Sequence, residues 1–572
     1  MAAPSAARHE VFLERDAYIP VRDGTHLAAD IYRPREPGRF PALLSMHPYC
    51  KDIEDTLELG PRIGRMSAEF ASVEAGDHLF WARHGYAHVI VDVRGAGKSQ
   101  GRHYGLFSPQ EQQDGYDLVE WIASQPWCDG NVGMCGISYL GIIQYLVAAQ
   151  QPPHLKAIFP HDAWGDLYRD ILYHGGIPSV FGFVLDAAIP YREGVSSSAA
   201  IYGEQRLASR VQALLEDEAT SFSKSPAAIK ALKLPEVYPI AHDTLVNRED
   251  GPFWRERSPV HHMHKIRVPV YLGAELHGYP TAMHVPGVTW GWEHIATPKK
   301  IAFRPCRVGG LDRPFHEIHD EMLRWFDHWL KGVDTGMMSE PKVKIWVRGR
   351  EAWRYADEWP LLGDTEWTRL HLHAGGRLGK EAPAAGEAST KMHYEPALPV
   401  TINAPLTPRP EFLSYVTEPF ERDTEIVGPM ALTLQAALSG PDGDFIVAVK
   451  EVAPDNAEFV LTRGWLRASH REVDPQRSKP WRPFHPHTRA VPLEPGRRYD
   501  FAIEIRPLAN LFKRGSRLKL EIWPWDFPNE PGYDWTLYWG KGHHIPYGKP
   551  VDYEVFHDPA APSALLVPVM KE

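Results

Sequence analysis

The chain is poor in cysteine. Its 572 residues include only Cys50, Cys128, Cys135 and Cys306, and no two of these share the spacing of a zinc site or a disulfide framework. No apolar run approaches eighteen residues, which excludes a membrane-spanning helix. The segment Met1 to Glu14 has no charged start followed by an apolar core, so no signal peptide is read and the cytoplasm is the expected location. The net charge of −11 arises without a long acidic run and argues against a nucleic-acid partner. The glycine-rich loop Arg94-Gly95-Ala96-Gly97-Lys98-Ser99 lacks the Gly-x-x-x-x-Gly-Lys-Ser spacing of a phosphate cradle and reads as a tight turn at a strand end. In His261-His262-Met263-His264 the histidines are too close in sequence to converge on one ion. Neither a metal nor a cofactor is expected.

What is present is a soluble globular composition, too long for one core and suited to two to four domains. The 19 Trp and 52 Pro favour ordered loops and strands over a helical bundle. Two β-like runs flank the turn Arg22-Asp23-Gly24-Thr25. Apolar strands follow at Phe40 to Met46 and Tyr86 to Val93, with helical patterns at Asp77 to Gly85 and Ser108 to Gln125. Strands alternating with helices at this spacing predict a mostly parallel α/β sheet, assigned to residues 1–160. Residues 161–260 contain helical stretches such as Gln205 to Asp217 and read as a cap over the strand ends, where open α/β sheets place their pockets. The sheet resumes over residues 261–335, with Val268 to Gly273, Lys300 to Phe303 and an amphipathic closing helix, Glu317 to Leu330. From 340 to 572, short alternating strands and Gly/Pro turns, beginning with Val343 to Val347, predict an all-β jelly-roll or sandwich.

The stretch Gly136-Ile137-Ser138-Tyr139-Leu140-Gly141 joins a short apolar run to an apolar helical pattern from Ile142 to Ala149. Strand, sharp turn and helix in this order form a nucleophile elbow, which lifts a serine hydroxyl clear of the sheet and aims a helix N-terminus at developing negative charge. The final glycine sits one place later than in the strict Gly-x-Ser-x-Gly form. On the bare motif, Ser138 could equally cap the helix.

Several motifs accompany the elbow: His47-Pro48-Tyr49, Asp92-Val93-Arg94-Gly95, Asp114-Gly115-Tyr116-Asp117, Gln125-Pro126-Trp127 and Arg324 to Gly332. Together they resemble the cocaine esterase and X-prolyl dipeptidyl aminopeptidase family of serine hydrolases over nearly the whole chain. The resemblance implies an α/β-hydrolase domain, a helical cap and a C-terminal jelly-roll. It also implies Ser138 as the acylated nucleophile, with an oxyanion hole made by the Tyr49 phenol and the Tyr139 backbone N–H. It is compatible with a homodimer. Asp92 and Arg94 read as a buried ion pair beneath the pocket.

The family pattern breaks at the relay. His277 stands where the family has its aspartate, and Val308 where it has its histidine. Three readings follow. The relay is rebuilt with His277 as general base and Glu275 or another carboxylate orienting it (His316 and His319 being other candidates for the base), an imidazole suiting that role at neutral pH. Alternatively, the pocket serves a non-hydrolytic acyl transfer or lyase step of secondary metabolism, or the protein is a pseudoenzyme that only binds its ligand. The leading expectation is a hydrolase of a small-molecule ester or amide, with no nucleic-acid or membrane partner; dipeptidyl-peptidase activity is less favoured.

Overall fold

The computed structural model describes residues 3–58, 74–219, 225–276, 284–305, 316–396, 411–526 and 544–571. Among these residues, ten strands form the first sheet: β1 (Val11–Pro20), β2 (His26–Pro34), β3 (Phe40–His47), β4 (Ala87–Asp92), β5 (Cys128–Ile137), β6 (Leu155–His161), β7 (Val270–Glu275), β8 (Lys299–Arg304), β9 (Val343–Val347) and β10 (Ala352–Ala356). Their spatial order is β1-β2-β4-β3-β5-β6-β7-β8-β9-β10. The β1–β2, β2–β4 and β9–β10 pairs are antiparallel and the rest are parallel. The central strands read as continuous apolar runs because both faces are covered, and every residue of β4 and β7 is buried.

Helices cover the two faces: α1 (His78–Arg83), α2 (Pro109–Ser124), α3 (Tyr139–Ala149), α4 (Val285–His294) and α5 (His316–Lys331). The α2 start follows from its sequence, with Pro109 in the first turn and the Ser108 hydroxyl accepting the Glu111 N–H at 3.3 Å. Helix α3 is apolar on every side and buried along its whole length, as expected of a helix enclosed by its neighbours. Helix α5 lays Ile318, Met322, Trp325 and Phe326 on the opposite face of the sheet, so close that a Cβ at Gly133 would stand 2.8 Å from the Phe326 ring.

Between β6 and β7 the chain forms the helical insertion, with segments that include Phe181–Ala188, Glu204–Glu216 and Pro239–Val246. The C-terminal part is all-β around a separate apolar core that includes Phe445, Phe501, Ile503 and Leu520. Among the described residues its eleven strands curl on themselves, because Ala564–Met570 pairs with both Thr365–His373 and Thr424–Leu438. The insertion docks on this part: the Arg169 guanidinium donates to the His485 and Pro486 carbonyls at 3.0 Å. Two strands depart from the sequence reading. Val343–Val347, expected to open the all-β part, pairs in parallel with β8, and Ala352–Ala356 pairs antiparallel with it, so both extend the first sheet. Alternation identifies a strand but carries no information about its partner.

Candidate active site

Ser138 is the single residue between β5 and α3, and its backbone is left-handed, with φ 55° and ψ −119°. A non-glycine residue held there costs on the order of 1–3 kcal/mol and persists only where the surroundings enforce it. Three observations supply the enforcement. A Cβ on Gly136 would stand 2.5 Å from Leu140 Cβ, so only glycine fits there. The Ser138 N–H donates to the His161 carbonyl of the neighbouring strand at 3.0 Å. The Gly141 and Ile142 N–H groups close on the Ser138 carbonyl at 2.9 Å. The Ser138 side chain does not cap the helix and is only partly buried, which removes the cap reading. Among the described residues, no histidine nitrogen hydrogen-bonds its hydroxyl.

Tyr139 begins α3, so its backbone N–H is one of the donors that a helix start leaves without an intrahelical acceptor. Its buried phenol donates to the Glu111 carboxyl at 2.8 and 2.9 Å, and its ring stacks on Phe107 at 4.2 Å. Tyr49 lies just beyond β3, almost wholly buried, with its ring edge-on to Tyr139 at 5.9 Å. Its own N–H donates to His47 Nδ1 at 3.3 Å. Burial drops the His47 imidazole to about 3, so that ring is neutral. The Cys135 thiol, two residues before the elbow serine's strand ends, is pushed up to about 12 by burial and is chemically inert.

Asp92 and Arg94 are not paired to each other. Asp92 accepts the Lys51 and Lys98 N–H groups, holding the loops that follow β3 and β4 together. Arg94 instead makes a two-pronged pair with Asp114 on α2, each contact 2.6 Å, and reaches Asp23 at 3.0 Å. The turn through Gly95 and Gly97 follows both residues. A Cβ on Gly97 would fall 2.2 Å from Asp92 Oδ2, so the turn closes over the carboxylate.

Burial lifts the Glu111 carboxyl to about 8, so it is mainly protonated at neutral pH. Its folded pKa lies above the unfolded value near 4.5, so the fold holds the extra proton between those two pH values. Stability therefore falls as pH rises through that window. Glu111→Gln imitates the neutral acid and removes this slope. Thermal melts of the two proteins should coincide near pH 5, with the variant the more stable by pH 9; a difference that does not grow with pH would refute the assignment.

Of the relay residues expected from sequence, His277 lies outside the described residues. Glu275 ends β7 fully buried, and its N–H donates to Asp162 Oδ1 at 3.2 Å. His316 is exposed at the start of α5, and His319 is packed face-on against Phe80 at 4.6 Å. Residues not singled out from sequence occupy the exit of β6. Asp162 has φ 45°, a second strained position beside the elbow. His161 Nδ1 stands 3.4 Å from Asp162 Oδ2, and His161 Nε2 accepts from Arg304 Nε at 3.2 Å. Arg304 is itself paired with Glu321 on α5. Burial raises the Asp162 carboxyl, but the facing His161 and His284 imidazoles outweigh it and hold the group below its ordinary range. The one signal available in sequence was a His-Asp pair ending the strand after the elbow helix.

Among the described residues, no group of three His, Cys, Asp or Glu side chains is arranged to hold a metal ion, and no helix is long and apolar enough to cross a membrane. Residues 23–307 match the model of the X-Pro dipeptidyl-peptidase (S15 family), and residues 335–532 match the X-Pro dipeptidyl-peptidase C-terminal non-catalytic domain. A cocaine esterase from Rhodococcus sp. (strain MB1 Bresler) is 30% identical over 89% of this chain and 90% of its own length. A crystal structure of a CocE/NonD family hydrolase from Staphylococcus aureus superposes with a TM-score of 0.77 over 98% of this chain and 94% of that one, at 24% identity. An α-amino acid ester hydrolase structure, 21% identical, covers 100% of this chain and 98% of its own with a TM-score of 0.72. These two likenesses establish the fold.

Proposed function

The chain belongs to the X-Pro dipeptidyl-peptidase (S15) family of serine hydrolases, and from that premise we propose that it cleaves an ester or amide bond of a small-molecule acyl substrate through an acyl-enzyme on Ser138. The observation that carries the reading is the left-handed Ser138, held under strain at the elbow with its hydroxyl uncapped. A serine serving only the fold would have no use for that strain.

In this mechanism Ser138 Oγ attacks the acyl carbonyl carbon while a histidine of the segment 277–284 removes its proton. The carbonyl oxygen becomes an oxyanion that accepts from the Tyr139 N–H and the Tyr49 phenol. The same histidine returns the proton to the departing alcohol or amine as the C–O or C–N bond breaks. Water then attacks the Ser138 ester with the base operating in reverse, releasing the acid and restoring the serine.

Partition with hydroxylamine tests the covalent step. For a series of aryl esters sharing one acyl group, the ratio of hydroxamate to free acid is expected to be the same whatever the leaving group, because all pass through one acyl-enzyme. A ratio that changes with the leaving group would contradict it.

A further inference from the structure

The segment 161–164 is gripped from two sides. From the elbow side, a Cβ on Gly141 of α3 would lie 2.6 Å from the His161 carbonyl oxygen and 3.1 Å from Ala163 Cβ. From the other, a Cβ on Gly287 in the first turn of α4 would lie 1.7 Å from the Ala163 carbonyl oxygen. Both helices therefore press backbone to backbone on the same four residues, and each needs glycine to do so. His284 is the residue that opens α4, and its ring lies parallel to Trp164 at 5.5 Å with an interplanar angle of 6°. Ser138, Asp162 and His284 are thus brought together around one short, rigid piece of chain.

His161 is excluded as the base. Its Nε2 accepts from Arg304, which cannot be deprotonated, and its remaining proton sits on Nδ1 facing Asp162. Neither nitrogen has a lone pair for the serine. The chain Glu321–Arg304–His161 instead braces the Asp162 carboxylate, with the Glu275 N–H fixing its other oxygen. Among the described residues, the charged and titratable groups around Asp162 are accordingly His161 on β6, Glu275 on β7, Arg304 on β8 behind His161, Glu321 on α5 behind Arg304, and His284 on α4. His161, Glu275 and Arg304 end parallel strands at the edge where the elbow opens, and with His161 excluded, His284 is the remaining histidine of this group.

We propose that His284 is the general base for Ser138 and that Asp162 is the carboxylate that stabilises its imidazolium, a serine–histidine–aspartate relay whose acid follows β6 and whose base opens α4. This rests on Ser138 being the nucleophile. In the step, the Ser138 O–H bond breaks as the new C–O bond forms, the proton moves to the neutral His284 ring, and Asp162 remains ionised throughout.

The test compares wild type with Asp162→Asn, Asp162→Glu, His284→Gln and His277→Ala, reading the second-order rate of fluorophosphonate acylation, kcat and KM for an aryl ester, and the pH profile of kcat/KM. Failure of wild type to label would refute Ser138 as nucleophile and is distinguishable from failure of the relay. Given a wild type that labels, His284→Gln and Asp162→Asn are each expected to slow acylation at least 100-fold. In Asp162→Asn, KM should change little, and the acid limb of kcat/KM should move to lower pH because the imidazolium has lost its carboxylate. Asp162→Glu should recover part of the rate. Should His284→Gln fail to fold, the acid-limb shift in Asp162→Asn still decides. A rate within threefold of wild type in His284→Gln, an unmoved acid limb in Asp162→Asn, or a rate lost with His277→Ala but kept with His284→Gln would overturn the proposal.

Discussion

Ser138→Ala is expected to lower kcat for ester cleavage by on the order of 10⁶-fold, the loss typical when the nucleophile of a cooperating relay is removed. Binding of a non-hydrolysed substrate analogue should remain within a few-fold of wild type, because the hydroxyl is one small group in a site otherwise untouched. Alanine shares serine's aversion to a positive φ, so the variant should melt with the parent. Ser138→Gly should be equally inactive but more stable, by roughly 1 kcal/mol, since glycine occupies φ 55° without the steric cost. The pair of variants separates the two roles of the position. Activity depends on the hydroxyl, and strain depends on the Cβ. Equal melting of the glycine and alanine variants would show that the elbow stores no strain.

Tyr49→Phe is expected to reduce kcat by about 10²–10³-fold with KM nearly unchanged, the signature of losing one donor that acts only on the oxyanion. Phenylalanine keeps the ring and therefore the edge-on contact with Tyr139, so stability should change little. The alternative role for Tyr49, a packing residue at the end of β3, predicts the opposite division. In that case Tyr49→Phe would leave kcat intact, and only a truncation such as Tyr49→Ala would matter, through the melting temperature. Steady-state kinetics and a thermal melt on the two variants decide between them.

The elbow was legible in sequence because its requirements are local: a glycine where Leu140 crowds the turn, a serine at the apex, and a glycine where α3 meets β6. The alternation of strands and helices and the helical insertion between β6 and β7 were legible for the same reason, since periodicity is a property of a single segment. Pairing is not. Val343–Val347 has the same alternating pattern whether it joins the first sheet or the second, and only its parallel register with β8 assigns it. Asp92 and Arg94, two residues apart, look like partners, yet Arg94 pairs with Asp114 on α2 and Asp92 accepts from two backbone N–H groups.

Asp162 shows the limit most clearly. Nothing around it in sequence marks it as special, apart from its place at the end of a strand. Its standing comes from what three other elements bring to it: the Glu275 N–H from β7, the His161 ring braced by Arg304 of β8, and the first turn of α4. From sequence, the family's acid and base were expected after β7 and β8, where His277 and Val308 stand. The relay proposed above draws its acid from the exit of β6 instead.

The most direct measurement is the site of covalent modification. After incubation of the full chain with a fluorophosphonate, intact-mass and peptide mass spectrometry should find one adduct per chain, on the peptide carrying Ser138, and none in Ser138→Ala. An unmodified wild-type chain, or an adduct that persists in Ser138→Ala, would contradict the assignment of Ser138 as the nucleophile.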